Sequence, residues 1–181
     1  MTYQKELLYR INDNEKWPEF DRPDFLDELN EIADKSVQKK TIEGYLAALL
    51  IYQQLTEEAI RLFLKDHEFY IQLSVFPNEI KFANKSNAMF GRVIEDLKNT
   101  VTFDNSKFEI IDRANKINQI RIELVHGLTK IPNLQGIESK VLAAKKLYDE
   151  LFELFDEEHD MFRVTFNQFR KNGDLEGLLE E

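Results

Sequence analysis

Few side chains in this chain of 181 residues can do chemistry, and two of them sit close together: Arg121 and His126. Cysteine is absent, so thiol nucleophiles, disulfides and cysteine-based zinc sites are excluded. Glycine-rich phosphate loops, dinucleotide fingerprints and the Gly-x-Ser-x-Gly elbow are also missing. With three histidines in the chain, two chemistries remain. The first is a carboxylate-bridged metal pair. Glu123-x-x-His126 and Asp156-x-x-His159 have the spacing that ferritin-like bundles place on two helices. That site needs each pair to face the interior. At about 100° per residue, Glu123 and His126 point roughly 140° or more away from the apolar centre of their helix. His159 lies in an acidic run expected to be solvated. Neither a metal nor a cofactor is therefore expected. The second chemistry is phosphate binding and proton relay. A guanidinium matches a phosphate in bidentate geometry and stabilises charge developing on it. An imidazole exchanges protons near neutral pH.

The element that must position both residues is the stretch Lys107 to Gly127, KFEIIDRANKINQIRIELVHG. Ile110, Ala114, Ile117, Arg121 and Leu124 fall within roughly 40° of one line on a helix. Ile111, Ile120, Ile122 and Val125 widen that apolar face, so the helix should be covered on more than one side. Arg121 lies mid-stripe, where it must meet a carboxylate, snorkel outward or line a cleft. The ordinary reading is a structural ion pair, and Glu57, an edge carboxylate on an earlier helix, is the candidate partner. The ordinary reading of His126 is a last-turn histidine complementing the helix dipole. Gly127 is the expected left-handed cap, with Pro132 beyond it.

Together the two residues carry a resemblance. Arg121 and His126 are separated by four residues, and INQIRIELVHG is similar to the signature of the HEPN superfamily (higher eukaryote and prokaryote nucleotide-binding domains). The preceding MFGRVIEDLKN looks like the helix that often comes before that motif, and the resemblance spans about Ile42 to Phe155. It implies an all-α, up-and-down helical bundle. It also implies a homodimer in which Arg121 binds phosphate and His126 is the acid/base of metal-independent RNA cleavage. Asn118 and Glu123, one turn away, are placed to orient the pair, and HEPN-like proteins often carry a polar or acidic residue where Glu57 stands. Ile122 departs from the pattern, since the family commonly has Asn, Asp or His after the arginine.

Composition and order fit a helical protein. Hydrophobic residues make up 43% of the chain, with only 6 Gly and 4 Pro, which suits long helices. A single helical domain over 1–181 is expected, with a core bundle at about 42–170 and N-terminal helices within 1–40 packed on it. Thr41 is the expected N-cap of a long helix reaching about Lys65. Alternating Phe69, Ile71, Leu73 and Val75, then Pro77-Asn78, then Ile80 and Phe82, suggest a short β-hairpin insertion or an extended excursion between helices around residues 69–83. Asn84 to Asn87 reads as a loop, with Ser86 or Asn87 capping the next helix, and the end, GDLEGLLEE, reads as a tail. Ile137, Val141, Ala144, Tyr148, Leu151 and Phe155 form the stripe of a last helix that Phe162, Phe166 and Phe169 prolong.

The formal net charge of -10 excludes a general nucleic-acid coat, so any RNA contact must be local. No stretch has signal-peptide or membrane-spanning character, which fits a cytoplasmic protein. The expected partners are a second copy, RNA, and a cognate antitoxin or nucleotidyltransferase, as in toxin and phage-defence systems. The alternative is a non-catalytic helical dimerisation or protein-interaction module, which Ile122 and the acidity favour.

Overall fold

The computed structural model describes residues 2–83 and 88–172. The loop expected at Asn84 to Asn87, its capping residues and the tail from Gly173 lie outside the described residues. The protein is all-α, a helical bundle of six helices among the described residues: α1 (Tyr3–Asn12), α2 (Pro23–Gln38), α3 (Ile42–Ser74), α4 (Phe90–Lys98), α5 (Ser106–Gly127) and α6 (Leu134–Asn172). No described helix is long and apolar enough to cross a membrane.

Local chemistry sets the helix ends. Pro23 occupies the first turn of α2. That helix stops where Lys40 turns left-handed at φ 52° and its N–H bonds the Val37 carbonyl. Thr41 then caps α3, its Oγ1 accepting from the Gly44 N–H at 3.2 Å. A Cβ at Gly44 would come within 2.5 Å of the Ser36 carbonyl oxygen, so glycine permits the close approach of α2 and α3. Asn133 caps α6 in the same manner, accepting from Gly136 N–H at 2.9 Å.

Two expectations are corrected. The hairpin around residues 69–83 does not form. Phe69 to Ser74 continue α3, turns follow to Asn78, and residues 79–83 are irregular. No Gly or Pro interrupts the chain between Gly44 and Pro77. The buried set Leu62, Asp66, Phe69 and Leu73 therefore follows helical spacing, and the alternation of half-buried residues between them is incidental. The left-handed cap at Gly127 is also absent. Its φ is -107°, and α5 tightens into a 3₁₀ turn, Leu128–Lys130, before Pro132. Arg121, expected to be buried within the protomer or at a dimer interface, is half-buried in the single chain.

The described residues group into two compact units. One draws on Phe20–Ile60 and Asp104–Phe155. In it α2, the first part of α3, α5 and the first part of α6 pack around Tyr45, Leu49, Tyr52, Ile110, Ala114, Ile117 and Leu151, all essentially without exposed surface. Polar ties sit at its margins: Tyr45 donates to Glu138 at 2.7 Å, Tyr52 to Asp34 at 2.6 Å, and Arg113 to Glu150 at 3.2 Å. The other unit draws on Met1–Glu19, Arg61–Phe103 and Asp156–Glu181. Its core is aromatic. Phe166 meets Trp17 and Phe69 edge-on at 5.6 and 4.8 Å, and Phe162 meets Phe63 and His67. α6 is unbroken to Asn172, and beyond its acidic run Phe162 and Phe166 are buried within the chain while Phe169 is half-buried.

Candidate functional site

The last turns of α5 place the predicted pair. On the helix wheel, Ala114, Lys107 and Ile111 lie within roughly 80° to one side of Arg121, and all three are buried. Asn118, Ile122 and Val125 occupy the same sector further along, and there the covering stops. Asn118, Arg121 and Ile122 are half-buried, Val125 is 48% exposed, and His126 is exposed. The buried stripe continues, through Ile117 and Leu124, only on the side facing the unit's core.

Among the described residues Arg121 and His126 make neither a hydrogen bond nor an ion pair, so the expected Arg121–Glu57 pair does not form. Glu57 is half-buried and accepts from Gln53 Nε2 at 3.3 Å. Asn118 has no side-chain hydrogen bond among the described residues. Glu123 is engaged elsewhere: it is exposed and accepts from Lys140 Nζ at 2.7 Å and Gln119 Nε2 at 3.1 Å. These bonds, with Lys140 first, hold its carboxyl below the usual range. The structure therefore brings Asn118, Arg121 and His126 to one uncovered helix end, and leaves Glu123 on the side bonded to α6. Arg121 and His126 point about 140° apart, so one helix does not aim both at one point.

A second constellation was not foreseen. Asp66 on α3 is fully buried, and its Oδ2 lies 2.7 Å from Nδ1 of His159 on α6. Arg163, one turn further along α6, donates from Nε to His159 Nε2 at 3.3 Å. Its Nη2 donates to the Pro18 carbonyl at 2.6 Å and pairs with Glu19 at 3.1 Å. Since Nε2 accepts, Nδ1 carries the proton and donates to Asp66. Asp66 Oδ1 is buried with no hydrogen-bond partner. Burial pushes the Asp66 carboxyl up to about 6, against the opposing pull of His159 and Arg163. His159 is thus not the solvated residue its acidic neighbours suggested. The available signal was Asp66 standing four residues after Leu62 and three before Phe69, on their helix face, though its partner is 93 positions away. Among the described residues no group of three or more His, Asp or Glu could hold a metal.

No protein-family model, curated protein or solved structure matches the chain.

Proposed function

We propose that the chain is a HEPN-like protein that acts on RNA as a homodimer, as a metal-independent endoribonuclease of a cytoplasmic toxin or phage-defence system. The observation that carries this reading is Arg121. A half-buried guanidinium has no carboxylate partner among the described residues of a chain with 34 acidic and 24 basic side chains, and a histidine just as unengaged stands five residues on. A guanidinium in that state is poised for an external anion, and RNA supplies phosphate. In the proposed step the ribose 2′-oxygen bonds to the adjacent phosphorus and the bond to the 5′-oxygen breaks. The 2′-hydroxyl proton passes to an imidazole, and the leaving 5′-oxygen takes a proton. Arg121 stabilises charge on the phosphate oxygens. The splay of the two side chains makes the second protomer a requirement, and half-buried Ile122 beside exposed Val125 supplies an apolar shoulder for it. A cognate antitoxin or nucleotidyltransferase would act by covering this same helix end.

The second reading is a non-catalytic dimerisation or interaction module on the same face. Ile122 favours it, because an apolar side chain follows the arginine where an RNA-bonding group would be useful.

The test is cleavage of varied single-stranded RNAs in EDTA, with sedimentation of the same preparation. The enzyme reading expects a dimer at micromolar concentration and cutting that His126→Ala abolishes. A folded dimer that cuts nothing would leave the module reading. A monomer would remove the composite site.

A further inference from the structure

Within one unit, α1, the second part of α3 and the irregular segment after it line an open-mouthed cavity of about 480 Å³, within the range of small-molecule sites. Its wall is unusual for an acidic chain. Arg10, Lys16, Lys65 and Lys81 line it against two carboxylates, Glu68 and Glu79, a surplus of two positive charges where the whole chain carries -10. That surplus already counts Glu79, which pairs with Lys81 at 3.2 Å.

Arg10 is the centre of the argument. Its guanidinium carbon lies 4.7 Å over the Phe69 ring, and Nη1 reaches Gln72 Oε1 at 3.4 Å, a long bond to a neutral group. No carboxylate bonds it among the described residues. Burial lowers its pKa, so the cation is held where water serves it poorly. An orphan lies beside it: the Tyr3 hydroxyl, on the same wall, is buried with no hydrogen-bond partner. A desolvated cation and an unspent hydroxyl on one cavity wall are groups that an anion would satisfy. The rest of the lining is apolar, from Phe69, Ile80 and Phe82.

We propose that this cavity binds a small phosphomonoester dianion bearing an apolar or aryl group. Two charges match the surplus on the wall, whereas a monocarboxylate leaves one cation uncompensated. The esterified group lies against Phe82 and Ile80, and the phosphate oxygens take Arg10 and the lysines. This inference stands apart from the RNA reading, because it uses none of the residues of α5 and is read by binding alone.

The test is calorimetric titration of the full chain, in buffer free of phosphate, with phenyl phosphate, inorganic phosphate and benzoate. Phenyl phosphate should bind saturably, one per protomer, at roughly millimolar affinity or tighter, and more tightly than either of the other two. The double variant Lys65→Glu/Lys81→Glu changes two exposed side chains and inverts the charge surplus, so it should fold and weaken binding by about tenfold or more. Arg10→Gln should do the same. If Arg10→Gln fails to fold, the lysine variant decides. Absence of saturable phenyl phosphate binding, benzoate binding as tightly, or charge inversion without effect would each overturn the proposal.

Discussion

The protein holds two arginine–histidine pairs, one in each unit, and they differ in almost every physical respect. On α6, His159 and Arg163 are four residues apart, one turn, and bond each other at 3.3 Å. Each has a further partner on another segment: buried Asp66 for the histidine, and the Pro18 carbonyl with Glu19 for the arginine. On α5, Arg121 and His126 are five residues apart, so they diverge around the helix, and neither is bonded among the described residues. The lesson is that residue type does not separate a structural pair from a reactive one. Spacing and saturation do. The α6 pair has spent its donors on the fold, which ties the N-terminal segment to α3 through α6. The α5 pair has spent none, so its chemistry is free for phosphate, solvent or a second chain.

The sharpest way to break this contrast is to remove His159. His159→Ala takes away the only hydrogen bond that the Asp66 side chain makes among the described residues, while its other oxygen is already without one. Breaking a buried pair in this way costs about 3 kcal/mol, and Asp66 should then stay protonated at neutral pH. Urea unfolding of the variant against the parent measures the loss. A change below about 1 kcal/mol would mean that the α6 pair is no more structural than the α5 pair.

The next effect is read through pH. The Asp66 carboxyl is raised in the folded protein to about 6, mainly by burial. In the unfolded chain it titrates near the ordinary aspartate value of about 3.9. Between these values the folded state binds more protons, so stability falls as pH rises. The Asp66 contribution is therefore fully present below about pH 4 and is lost as pH rises through about 6, a change on the order of 3 kcal/mol. Asp34 and Glu123, whose folded carboxyls are depressed, act with the opposite sign, losing their contribution as pH falls. The difference between the parent and Asp66→Asn isolates the one slope from the others. Unfolding curves at several pH values should show that the parent gains on the variant as pH falls from 7 toward 4. A flat difference would mean that burial does not hold this carboxyl.

The contrast also marks where sequence reading succeeds. The α5 stripe was legible because Ile110, Ala114, Ile117 and Leu124 repeat locally, and all four are buried. The Thr41 cap was legible because its acceptor and its target N–H lie three residues apart. The hairpin reading failed because a short apolar run fits period two or period four equally well. Helix continuation from Phe63, which an alternation within residues 69–75 does not report, decided the case. Asp66 and His159 are 93 positions apart, and no periodicity connects them. For Arg121, wheel position identified its stripe, but its half-exposure in the single chain depends on where covering elements stop, which is a tertiary property.

The smallest expected effect bears most directly on function. An arginine in a buried stripe paired with Glu57 would cost several kcal/mol to remove, because a carboxylate would be stranded. Arg121 has no such pair, so its loss strands nothing. Arg121→Ala should cost at most about 1 kcal/mol, from the packing of its aliphatic stem. Arg121→Met, which retains that stem without the charge, should fall within about 0.5 kcal/mol of the parent. His126→Ala, at an exposed last-turn position, should do likewise. Denaturant titrations are best run at a protein concentration where sedimentation shows only monomer, so that a second chain does not enter the result. Under those conditions a loss above about 2 kcal/mol for Arg121→Met would place Arg121 in the same class as Arg163, holding the fold through its charge. Its lack of a partner would then cease to argue for phosphate. A near-neutral result, combined with lost RNA cleavage in the same variant, would assign the charge to function alone.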